Sequence, residues 1–162
     1  IRTVPPSALP GLAERVQATL RIAVQRDRLF NIGLHSLNRA RIAVLAGDKT
    51  AVAQFDTAVA ALRKAGARHY IPLGYLARAG FRRLQGDLGG AWEDLAQVRH
   101  IAEPSGMRLY LSDALIEEAW LHHLAGDAEK ARAAFDHAKA EVNDMGYHWQ
   151  DTELDKLRRA LA

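Results

Sequence analysis

The 162-residue chain contains no cysteine. Disulfide bonds and thiolate chemistry are thereby excluded, and a reducing compartment is compatible with the composition. No apolar run approaches the roughly 18 residues of a membrane-spanning helix. The expectation is therefore a cytoplasmic chain that makes no membrane contact. No P-loop is present, so nucleotide hydrolysis has no machinery here. Serine occurs only at Ser7, Ser36, Ser105 and Ser112, none of them in a nucleophile-elbow pattern. Strict apolar/polar alternation is missing, which argues against a sheet. The chain opens on Ile1 rather than methionine and is expected to be a piece of a longer protein.

About half of the residues are apolar and a quarter charged, enough for one domain or a short repeat array. The net charge of +3 hides an asymmetry. Residues 1–83 hold 14 Lys/Arg against 4 Asp/Glu, whereas residues 84–162 hold 8 against 15. These halves permit head-to-tail contact between copies.

Three segments end alike: "RIAVLAGD", "FRRLQGD" and "WLHHLAGD", with glycines at Gly47, Gly86 and Gly126. Aligned without a gap, residues 66–87 and 106–127 are identical at 7 of 22 positions, among them Ala79/Ala119, Leu84/Leu124 and the Gly-Asp pair. A third copy, 27–48, keeps Ala40, Leu45, Gly47 and Asp48. A small residue lets two helices approach, Gly ends a helix in the left-handed region, and Asp caps the next one. After each Gly-Asp comes a second apolar stripe at steps of three and four: Ala51, Phe55, Ala58 and Leu62; Leu88, Ala91, Leu95, Val98 and Ala102; Ala128, Ala131, Phe135, Ala138 and Val142. The first helices carry two stripes, as in Leu115 and Ala119 beside Ile116, Trp120 and Leu124, so each must be buried on two sides. Pro72 is tolerable only in a first turn, which places that helix start near Tyr70 to Pro72.

A helix pair with a small residue seven before a Gly-Asp turn and an Ala five after it resembles the tetratricopeptide repeat (TPR). Ala40, Ala79 and Ala119 match the first small position, Ala91 and Ala131 the second, and Pro104 falls near the family's closing proline. The units run longer than is usual for the family, and its aromatic positions are mostly aliphatic here. This long-unit style resembles the C-terminal TPR regions of bacterial STAND-type signalling ATPases. The resemblance implies an all-α, TPR-like right-handed α-solenoid of about eight helices. Its expected units are about 28–66, 67–106 and 107–145, within a repeat domain 11–162. Ahead of them stand an extended linker over 1–10 and an unpaired helix over 11–26, with Leu12, Val16, Leu20 and Ala23 inward. A polar-backed cap helix over 151–161 closes the array.

Seven histidines invite metal or acid–base chemistry. The best cluster, Glu118 with His122 and beside His123, supplies one carboxylate and one imidazole at the i,i+4 spacing, short of an H-E-x-x-H site. His148-Trp149 reads as a packing aromatic pair. The basic helix "LARAGFRRLQ" lacks the interleaved aromatics that base stacking requires, which argues against nucleic acid; Arg78 there reads as part of a solvated face. No enzyme, metal or cofactor is expected. The resemblance instead implies a peptide-binding groove lined by the first helices: Leu37, Arg41 and Val44; Leu76, Gly80 and Arg83; Ile116, Trp120 and His123. Leu37, Leu76 and Ile116 also suit packing between units. The expected role is a protein- or peptide-binding module, the sensor or scaffold of a larger signalling protein, taking an acidic, partly apolar peptide. The alternative is a self-association module that builds a homodimer or larger homo-oligomer.

Overall fold

The computed structural model describes residues 5–26, 28–48 and 51–162. These form eight α-helices and no strand: α1 (Leu9–Gln25), α2 (Leu29–Leu45), α3 (Ala51–Lys64), α4 (Ile71–Leu84), α5 (Leu88–Ala102), α6 (Arg108–Leu124), α7 (Ala128–Met145) and α8 (Asp151–Ala160). Two 3-10 turns, Pro6–Ala8 and His148–Gln150, precede α1 and α8. The fold is all-α, as the helical periodicity requires. Residues 1–4 of the expected linker, and residue 27 at the head of the third sequence copy, lie outside the described residues. Within the rest of 1–10 only Pro5 is extended (φ −60°, ψ 136°). The helix begins at Leu9 because Pro10, in its first turn, lacks an N–H that would have no partner there anyway. Pro72 likewise sits in the first turn of α4.

Six helices end in one device. At the end of α2, the Gly47 N–H donates to the Val44 carbonyl at 3.0 Å and the Asp48 N–H to the Ala43 carbonyl at 2.9 Å. This pair of bonds is the Schellman cap, which satisfies carbonyls that the helix leaves free and turns the chain through one left-handed residue. The same two bonds recur around Gly66, Gly86, Gly106, Gly126 and Gly146, and all six glycines have φ between +61° and +81°. Their positions are almost evenly spaced along the chain, one glycine to each helix. The repeat seen in the sequence is therefore two capped helices. Asp87 and Asp127 then begin the following helices, accepting from the N–H groups of Gly90 (2.9 Å) and Lys130 (3.1 Å).

The chain divides into two compact units, Ile1–Phe81 and Arg82–Ala162. In the first, α2 packs between α1 and α3. Short turns between helices that pack side by side make successive helices antiparallel, as in solenoid repeats. Leu37, Ala40, Ala51, Phe55, Ala58 and Phe81 form its core, with the Phe55 and Phe81 rings 5.5 Å apart. Leu62 is fully buried between two glycines: a Cβ on Gly33 would lie 2.7 Å from its Cγ, and one on Gly74 would lie 3.3 Å from its Cδ1. In the second unit α6 packs against α5, α7 and α8. Leu115, Ile116, Ala119, Ala138, Val142, Leu154 and Leu157 form the core there. The repeated alanines Ala40, Ala79, Ala91, Ala119 and Ala131 are all buried.

Some repeated apolar positions face solvent instead. Leu45, Leu84 and Leu124, the last helical residue of each first helix, are all exposed, and so is Ala128. Trp149, read as a packing residue, is 70% exposed.

The caps and the open helix starts respond oppositely to the same substitution. Gly126→Ala places a Cβ at φ +79° and is expected to cost about 1–2 kcal/mol. Gly89→Ala, in the first turn of α5 with nothing within 4 Å, is expected to add about 0.4–1 kcal/mol. Chemical denaturation measures both, and equal effects of one sign would contradict the cap assignment.

Candidate functional site

The expected groove residues fall in both units. Leu37, Arg41, Val44, Leu76 and Gly80 belong to the first unit, and Arg83, Ile116, Trp120 and His123 to the second. Leu37, Leu76 and Ile116 are buried, with 1%, 8% and 2% exposure, so they serve packing. Val44 leans on the first core and Gly80 is half-buried. The positions with accessible chemistry are Arg41 in one unit and the Arg83–Trp120–His123 group in the other.

Most arginines of α4 to α6 already hold carboxylates. Arg78 pairs with Asp56 at 2.5 Å and lies over the Tyr75 ring. Its side chain is only 15% exposed, so the solvated-face reading of Arg78 is corrected. Arg82 reaches the buried Asp94 at 3.2 Å and donates to the Gly90 carbonyl at 2.7 Å. Arg99 grips Glu118 through Nε and a terminal nitrogen, both at 2.6 Å. The Glu118 hydrogen bond holds the Arg99 pKa above its ordinary value against the opposing effect of burial. Glu118 is thus a buried tie between α5 and α6 rather than half of a surface Glu–His pair, and His122 packs on Trp92 with ring centroids 4.9 Å apart. Arg108 bridges Glu141 and Asp144 at 2.9 and 2.6 Å. The described residues include no group of three or more His, Asp or Glu side chains placed to hold a metal.

Arg41 differs. It is half-buried on α2, and burial alone displaces its pKa, downward. No carboxylate partner faces it among the described residues. A desolvated guanidinium in that state gains from an incoming anion, because the lost hydration is already a standing cost.

On α6 a row at steps of four, three and three carries Asp113, Glu117, Trp120 and His123. Arg83 reaches across to Glu117 at 2.7 Å and places its guanidinium 5.3 Å from the Trp120 ring centroid. His123 meets the same ring edge-on at 6.0 Å. The Trp120 indole Nε1 is buried with no hydrogen-bond partner. Trp is a donor only, so this N–H needs an acceptor from elsewhere.

Sequence reasoning had no signal for Asp113. Its carboxyl accepts from the Gln150 amide at 2.5 Å and from the Tyr147 hydroxyl, and burial pushes its pKa up to about 6. Both partners lie beyond the far end of α7, a separation that no helical period reports.

Comparison with protein-family models, curated proteins and solved structures finds no match for this chain.

The stacking of Arg83 on Trp120 is measurable without a ligand. A double-mutant cycle of Arg83→Ala and Trp120→Leu is expected to give a coupling of about 0.5–1 kcal/mol in stability. Strict additivity would remove the contact.

Proposed function

We infer that the chain is a protein- or peptide-binding repeat module for an acidic, partly apolar segment. Arg41 carries the reading: it is a half-buried cation without a carboxylate among the described residues, at a repeat position where the other copies hold Gly80 and Trp120. The first unit around it is strongly basic, with 12 Lys/Arg against 4 Asp/Glu in residues 1–81. In the second unit Arg83 and Trp120 supply a separate contact. A ligand carboxylate competing with Glu117 for Arg83 draws the guanidinium off the ring. The indole edge is then open to a ligand carbonyl that accepts from Nε1. His123, edge-on to the ring at 6.0 Å, adds a second polar ring beside this contact. In a larger signalling protein, of the STAND kind that the repeat style resembles, such a module serves as sensor or scaffold.

The second reading is self-association. Ile22 and Val24, 51% and 57% exposed on different faces of α1, are apolar side chains that neighbouring copies would cover. A strict monomer in sedimentation at high protein concentration and low salt removes it.

With a partner captured by the full-length parent protein, Arg41→Glu and Arg83→Glu are each expected to weaken binding without loss of helicity. Trp120→Ala is expected to cost about 1–2 kcal/mol in calorimetric titration. Unchanged affinity in all three variants would move the site off these helix faces.

A further inference from the structure

The last helix is fastened to α6 at its near end and to α7 at its far end, and its middle packs on both. Leu154 and Leu157 pack into the core made by Leu115, Ile116, Ala119, Ala138 and Val142. At the far end Arg132 donates to the Leu161 carbonyl at 2.9 Å. At the near end the fastening is Asp113: Gln150 donates to its Oδ1 at 2.5 Å, and the Tyr147 hydroxyl donates to it as well. Tyr147 precedes the 3-10 turn that launches α8, and Gln150 is its last residue. α8 follows the Gly146 cap and packs against α6 and α7, where the first helix of a further pair would begin.

Among the described residues, no cation faces the carboxyl at this fastening. On its own helix the group facing it is Glu117, a second carboxylate. From the segment before α8 come Tyr147 and Gln150, both neutral. Arg83 is engaged by Glu117, and Arg99 from α5 by Glu118. The acidic groups of α7 nearest to α6, Glu141 and Asp144, are engaged by Arg108. Of the three cations of α8, Lys156 and Arg158 are bound to Glu153 and Asp155 on their own helix, and Arg159 is exposed in the last turn, at the opposite end of the helix from Gln150. A half-buried carboxylate beside another carboxylate, with neutral donors alone, is pushed toward its protonated form by desolvation.

We propose that Asp113 is a proton-operated latch: the segment from Tyr147 through α8 is held on α6 when this carboxyl is protonated and loosens when it ionises. Ionisation puts an unpaired charge under the turn, and undocking relieves it by hydrating the carboxylate. Loosening uncovers the apolar face of α6 and α7 that Leu154 and Leu157 now occupy. The sign follows from linkage. The docked pKa is raised to about 6 from an ordinary 3.8, so the docked state holds the proton more tightly and docking weakens as pH rises from 4 to 6, then stays weak. Between pH 5 and 7.5 the docking constant falls about tenfold on these values.

Amide hydrogen exchange on the intact chain tests the latch, with intrinsic rates corrected at each pH. Protection of residues 154–160 is expected to fall about tenfold from pH 5 to pH 7.5 while protection of residues 95–102 in α5 holds steady. Asp113→Asn, which mimics the neutral carboxyl, is expected to keep the acid level of protection at both pH values. Glu117→Gln, which removes the neighbouring charge, is expected to move the transition to lower pH. A flat profile in the unaltered chain overturns the latch, as does a slope that survives Asp113→Asn. Should that variant fail to fold, an unmoved transition in Glu117→Gln overturns it equally.

Discussion

A left-handed glycine closes six of the eight described helices, and it is the constraint on which the rest depends. Two hydrogen bonds around it end the helix and reverse the chain, and after Gly86 and Gly126 the next residue, Asp87 or Asp127, caps the following helix. Because six such glycines recur at almost constant spacing, the phase of successive helices is set by the caps. Within each unit the apolar stripe of a helix then meets that of its neighbour. Buried alanines at the crossings keep the backbones close, and Gly33 and Gly74 do the same where Leu62 inserts.

On this frame the arginines act as inter-helix ties. Arg78, Arg82, Arg99 and Arg108 each link two helices within a unit, through partners from Asp56 to Asp144. The planar fork suits this work, since two nitrogens grip a carboxylate while the ring-like plane lies on Tyr75 or Trp120. A helix that reads as a basic patch is thereby largely neutralised in place. Among the described residues, three groups stand outside this pattern: Arg41, desolvated by burial with no carboxylate beside it, the Trp120 N–H without an acceptor, and Asp113 without a cation.

The helices, their turns and their small-residue crossings were legible in the sequence, because Gly-Asp, Ala and the helical stripe each have a local physical cause. Leu84 and Leu124 misled for an instructive reason. Identity between copies reports a shared environment, and the environment at the last turn of each first helix is solvent. The ties were not legible, since Arg99 could have met any of several carboxylates and only inter-helix register selects Glu118. Arg83 on Glu117 was one of the pairings open to it, and Asp113 was invisible because its burial is created by a turn that lies beyond a whole intervening helix. The groove positions show the same limit: the repeat alignment named Trp120 and Arg83 together with Leu76 and Ile116, and only the packing reveals that the core absorbs the last two.

The nearly constant spacing of the caps has a consequence for how such a chain can change over time. One inserted residue turns everything beyond it by about 100° around the helix axis, so that a stripe built for the interior faces water. Removing a single helix together with its turn preserves phase but leaves the following helix running in the wrong direction. Losing or duplicating a pair disturbs neither. The natural unit of insertion or deletion in this molecule is therefore the capped helix pair, and its ancestry should be written in whole pairs.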